Sequence, residues 1–173
     1  MEPNSQPEIS AVDDQSSQKK LSRKLLFFAL AAIIIIADQL SKNWIVRHFE
    51  VGESLPLIEN ILHFTYVRNP GAAFGLFTAG APFFIALSIG MILLVIFAEH
   101  NYFGGHILTR LSMAFILGGT AGNCIDRLRY GYVVDFMDIQ VWPVFNVADS
   151  ALVLGAFLLL YGSYKAGFFA LKN

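Results

Sequence analysis

Leu25 to Ala37 is a run of thirteen residues whose side chains hold no polar atom. Such a run has no face to offer water, so it must be buried on every side or sit in lipid. It continues through Asp38-Gln39-Leu40-Ser41-Lys42 to about Val46. A helix over residues 25–46 is ~33 Å long at 1.5 Å per residue, enough to cross an apolar core of about 30 Å. Three more stretches read the same way, over residues 81–98, 107–125 and 147–165. The second has no charge, the third has Arg110 near its start, and the fourth has Asp149 near its start and Lys165 at its end. Of the 25 Lys, Arg, Asp and Glu residues, eight lie in the first 24 positions, leaving 17 for the other 149. At 55% hydrophobic and 14% charged, the chain has too few charges to keep the surface of a soluble domain wet. The expected class is an all-α membrane protein with four transmembrane helices. A net charge of −1 argues against a nucleic-acid partner, and a single cysteine, Cys124, excludes an intrachain disulfide.

Residues 1–20 are polar, contain two prolines and show no apolar period, so they read as a disordered tail ahead of the four-helix transmembrane body over residues 21–173. The basic cluster Lys19, Lys20, Arg23 and Lys24 comes too late for a cleaved secretory signal, and the apolar run after it reads as a retained anchor. The same cluster predicts a cytoplasmic N-terminus, and four spans return the C-terminus to that side. Between the first two spans, Ser54–Ile58 and Ile61–Val67 are rich in β-branched and aromatic residues, with Glu59-Asn60 and Asn69-Pro70-Gly71 as turns. They predict a small extracytoplasmic β element over about residues 50–78.

This topology puts Asp38, Asp126, Asp135, Asp138 and Asp149 at the outer side, and ionisable groups at membrane depth usually mark function or a specific pairing. The four histidines lack zinc-ligand spacing, no His-Glu-x-x-His or Gly-x-Ser-x-Gly occurs, and Cys124 has no nearby His in sequence. No metal or cofactor is expected. Two aspartates sharing one proton can hydrolyse a peptide without either. Asp149 is such a group, or an acid set favourably at a helix N-terminus. Asp135, inside the apolar run Val133–Phe136, is a placed functional group or a bend. Asp126 reads first as an ion pair with Arg127 or a helix-end contact. Asp38 and Lys42 read as a structural ion pair one turn apart, Gly118-x-x-x-Gly122 as close helix packing and Asn123 as a cross-helix hydrogen bond. Two other classes use the same residues: a transporter with an acidic ion path, and a non-catalytic assembly factor.

Five blocks in this order resemble the bacterial lipoprotein signal peptidases, or signal peptidase II. They are Asp38-Gln39-Leu40-Ser41-Lys42, Arg68-Asn69-Pro70-Gly71-Ala72-Ala73-Phe74-Gly75, Gly118 to Arg127, Val133-Val134-Asp135-Phe136 and Phe145-Asn146-Val147-Ala148-Asp149-Ser150. The resemblance covers about residues 25–165. It implies an aspartic endopeptidase of the bacterial cytoplasmic (inner) membrane that cuts diacylglyceryl-modified prolipoproteins before the lipidated Cys. It implies a catalytic dyad of Asp135 and Asp149. Asn69, Asn123, Arg127 and Asn146 are implied to line the site, and Asp38 with Lys42 to keep it in shape. It also implies a β-cradle that receives the substrate, contact with membrane lipids, and inhibition by globomycin-like compounds.

Overall fold

A computed structural model describes residues 6–71, 80–101 and 107–165, with side chains from residue 15 onward. The elements, in chain order, are α1 (Gln6–His48), β1 (Ser54–Ile58), β2 (Leu62–Asn69), α2 (Gly80–Asn101), α3 (Ile107–Tyr130), β3 (Val133–Asp138) and α4 (Val147–Lys165). The first helix begins at Gln6, well before the expected span. No Gly or Pro interrupts residues 8–51, so nothing in the backbone stops a helix nucleated in the apolar run from extending outward. Residues 72–78 of the expected β element lie outside the described residues.

Among the described residues, three helices are long and apolar enough to cross a membrane: α1 from Gln15, α2 and α4. Their apolar side chains point outward. The 22-residue α2 buries only Ser88, Val95 and Glu99, while Leu87, Leu93, Leu94 and Phe97 are exposed. Outward apolar surface on this scale suits lipid, not water. The third helix differs. It buries Arg110, Ser112, Thr120, Asn123 and Asp126 together with Gly118, Gly119 and Gly122. It packs against α1, α2 and α4. A helix enclosed by others can carry small and polar residues because its neighbours, not lipid, meet its side chains.

The glycines set the closeness of this packing. A Cβ at Gly118 would lie 2.8 Å from Ile34 Cβ, and one at Gly122 would lie 2.6 Å from Asp38 Oδ2, both on α1. On the other face, a Cβ at Gly155 of α4 would lie 2.8 Å from Ile116.

The sheet has three antiparallel strands in the order β1-β2-β3. Asn60 takes a left-handed φ of 60° in the tight turn between β1 and β2, a conformation Asn tolerates. The third strand comes from far along the chain and pairs Val67 with Asp135 and Asn69 with Val133. Two apolar clusters result. One lies among the helices (Phe27, Ala31, Val95, Ala114, Leu117) and the other joins α1 to the sheet (Ile45, Tyr66, Val134, Phe136). Along α1, Asp38 and Lys42 fall between them, so a polar layer is closed off by apolar packing on both sides.

Candidate active site

The polar layer is assembled from α1, β2, α3, β3 and the start of α4. On α1, Lys42 lies one turn after Asp38, and its Nζ is 2.9 Å from Asp38 Oδ2. The same ammonium is 2.9 Å from Asp126 Oδ2 and donates to Asn123 Oδ1 at 2.9 Å, both on α3. Lys42 is 3% exposed and Asp38 and Asp126 are no more than 1% exposed. A buried lysine between two carboxylates fills its three donors, which is the condition under which buried charge is tolerated.

The carboxylates also hold backbone. Asp38 Oδ1 accepts the Ala148 N–H at 2.9 Å, fixing the first turn of α4 on α1. Asp126 Oδ2 accepts the Val134 N–H at 3.0 Å, fixing β3 one residue before Asp135. Asp126 Oδ1 accepts from Gln39 Nε2 at 2.9 Å.

Asn146 is the hub. It is fully buried and sits as the N-cap of α4. Its side-chain Oδ1 accepts the Asp149 N–H at 2.9 Å, and Asp149 Oδ2 accepts the Asn146 N–H at 3.2 Å. This reciprocal pair is a capping box with Asp at the third helical position. The Asn146 amide then donates to Asp135 Oδ1 at 2.6 Å and to Asn123 Oδ1 at 3.1 Å. Asn123 Nδ2 in turn donates to Asp149 Oδ1 at 2.8 Å. Asn69 donates to Asp135 Oδ2 at 2.9 Å from the neighbouring strand. Asp135 and Asp149 thus stand on either side of Asn146, each held by amide donors on other elements.

Their surroundings differ. Asp135 is 1% exposed. Burial pushes its carboxyl up to about 7; the Asp149 charge adds to this, while donors from Asn69 and Asn146 and the Lys42 charge oppose it. Asp149 is half-buried and lines an apolar cavity of about 600 Å³ with Trp142, Phe145, Val153, Leu154 and Phe157. Arg127 is within electrostatic reach of both carboxylates. It lies 5.1 Å from the Phe84 ring centroid and donates to Asn123 O at 3.4 Å. All eight residues singled out from the sequence therefore belong to one layer, with Arg127 tied most loosely. Asp138 stands apart, bonded to Thr65 Oγ1 at 2.9 Å on the sheet.

A buried acid with a raised affinity for its proton, beside a more open acid facing an apolar cavity, is suited to moving protons during hydrolysis. Among the described residues, no group of three His, Cys, Asp or Glu side chains is placed to hold a metal ion. The profile of the family described as signal peptidase (SPase) II matches residues 30–165. This chain belongs to the signal peptidase II family.

The chain is 47% identical over 136 residues to a lipoprotein signal peptidase of Moorella thermoacetica, covering 78% of this chain and 90% of that one. It is 41% identical over 135 residues to a lipoprotein signal peptidase of Halothermothrix orenii, covering 78% and 92%. A solved bacterial membrane enzyme, determined in meso at 2.3 Å, superposes with a TM-score of 0.79 at 28% identity, over 86% of this chain and 92% of that one.

In this signal peptidase II family member, one pairing departs from the sequence reading and one site residue escapes it. Asp126 pairs with Lys42 and not with the adjacent Arg127. Gln39 reaches across to Asp126 and also contacts Gly122 O at 3.2 Å. The missed signal is a stripe on α3. Gly119, Gly122, Asn123 and Asp126 follow i, i+3, i+4, i+7, so Asp126 shares the face that meets α1 and α4.

Proposed function

We propose that the protein is a membrane aspartic endopeptidase that removes the signal peptide from diacylglyceryl-modified prolipoproteins, cutting before the lipidated Cys. The observation that carries this reading is the paired Asp135 and Asp149, brought from different elements to the two sides of Asn146, with Asp135 pushed up to about 7. Asp135 is the partner that keeps its proton, and Asp149 is the base. Asp149 takes a proton from water as the oxygen attacks the scissile carbonyl carbon, and Asp135 gives its proton to the carbonyl oxygen. When the resulting diol collapses, Asp149 passes its new proton to the leaving amine and a diol hydroxyl returns one to Asp135. No covalent intermediate forms and no metal takes part.

The fold supports the same reading. The apolar cavity beside Asp149 offers acyl chains a place against Trp142, Phe145 and Phe157. The sheet beside Asp135 is suited to receive an extended peptide, and globomycin-like inhibitors would compete at this site. We place all four helices across the bacterial inner membrane with both termini cytoplasmic and the aspartates at the outer face.

The test is a gel-shift cleavage assay on a diacylglyceryl-modified precursor, in the presence of a chelator. Wild type is expected to cleave. Asp135→Asn and Asp149→Asn are expected to insert normally and to lose at least about 10²-fold in rate, the lower range for removing a positioned acid or base. Near-normal cleavage by either variant, or loss in chelator restored by zinc, would sink the assignment.

A further inference from the structure

The end of the bundle farthest from the aspartates holds a second polar site. A cavity of about 460 Å³ lies between α1, the end of α2 and the start of α3. Its charged lining is Lys19, Lys20, Arg23 and Lys24 from α1, Arg110 from α3 and the single carboxylate Glu99 from α2. Glu99 is buried and already engaged, with Oε1 3.6 Å from Arg110 Nε. Among the described residues, five basic side chains and one carboxylate line this cavity. A volume of this size lies within the usual range for small-molecule sites.

Three features separate this cavity from a simple basic stripe. First, its walls converge from three helices: the Glu99–Arg110 pair ties α2 to α3, and Lys24 Nζ lies 3.4 Å from His100 Nδ1, tying α1 to α2. Second, like charges recur one turn apart on α1, at Lys19 with Arg23 and Lys20 with Lys24. Each such pair disfavours the helix that α1 nevertheless forms there, and an anion between the turns removes that penalty. Third, the depth is that of lipid headgroups. Lys24 is followed at once by the outward apolar surface that begins at Leu25 and Leu26. Lys24 is fourteen residues from Asp38, or ~21 Å along the helix, so the cavity is separate from the candidate active site.

We propose that this cavity binds the phosphate headgroup of an anionic phospholipid. Basic pockets between membrane helices recognise such headgroups through several convergent cations, beyond the diffuse attraction of a charged surface. The chemistry recognised is a phosphate oxyanion, which a lipid headgroup supplies at this depth and free phosphate supplies from solution.

The full-length protein in neutral detergent is mixed with phosphatidylglycerol, phosphatidylcholine or inorganic phosphate, and bound molecules are counted by native mass spectrometry. Phosphatidylglycerol is expected to be retained over phosphatidylcholine, and inorganic phosphate is not expected to displace it. Lys20→Gln with Lys24→Gln should weaken retention about 25-fold, as loss of two cations near an anionic surface implies. Arg47→Gln, at the opposite end of α1, should leave retention unchanged. Should the double variant fail to insert, Lys20→Gln alone is expected to lose about fivefold. Equal retention of the two lipids overturns the proposal. So does displacement by inorganic phosphate, which makes it an ion site, or an equal loss in Arg47→Gln, which makes the attraction diffuse.

Discussion

Asp135 is a buried carboxyl whose proton is held by its surroundings. Its carboxyl is held up to about 7, chiefly by burial, so its proton is kept below that pH and lost above it. With Asp135 as the protonated partner, cleavage should fall as pH rises through about 7, an apparent value belonging to the pair. The Asn69 amide donates to the ionised form and so lowers this value. Removing the donor in Asn69→Ala raises it, and the alkaline limb of kcat/KM should move up by roughly one pH unit, since such a charge-assisted bond is worth about 1.5–3 kcal/mol. A limb that stays put or moves down would count against Asp135 as the acid. Asp126 works through others. Asp126→Ala leaves Lys42 with one carboxylate fewer and the Val134 N–H without its acceptor. A cost of about 3–5 kcal/mol is expected, read as a lowered melting temperature in detergent. Asp126→Asn, which keeps an acceptor for Val134, should retain more of the stability. None of this pairing is visible from residue order, because Asp126 has Arg127 beside it in the chain and Lys42 beside it only after folding.

At the scale of elements, α3 decides where everything else sits. Its glycines look alike in sequence and differ in what they touch. At Gly118 a Cβ meets the Ile34 side chain, an apolar contact one helical turn before Asp38. At Gly122 it meets the Asp38 carboxylate, which holds both Lys42 and the start of α4. Gly118→Ala should therefore cost about 1–3 kcal/mol through overpacking while the folded fraction still cleaves. Gly122→Ala should reduce kcat as well, because a displaced Asp38 releases the α4 turn that carries Asp149. The two variants are compared by specific activity per folded molecule, and an equal loss in both would argue that Gly122 serves packing alone. The capping box of α4 shows the same coupling. Asn146 starts the helix with its own backbone and side chain, and the box's acid is Asp149. The helix-end reading of Asp149 and the functional reading are therefore one geometry, which is why residue order alone left both open.

At the scale of the whole molecule, two polar ends are separated by lipid-facing apolar walls. One end gathers acids and amides, and the other gathers cations. The proposed orientation has a direct check: cysteine labels at residues 2 and 172, in a Cys124→Ser background, should both react only from the cytoplasmic side of intact cells, while a label at Glu59 should react from outside. Opposite accessibility of the termini would require an odd number of crossings. The long apolar helices, two of the strands and their turn were legible along the chain, because apolar run length and alternation are properties of neighbouring residues. The helical start of α1 was not, since polar composition says little about whether an adjoining helix propagates. Folding alone brings Val133–Asp138 into the sheet, lets Lys42 bridge Asp38 to Asp126, and sets Asp135 against Asp149 through one buried asparagine. Those pairings join residues up to 110 positions apart, as from Asp38 to Ala148, and their energies exist only once water has been excluded between them.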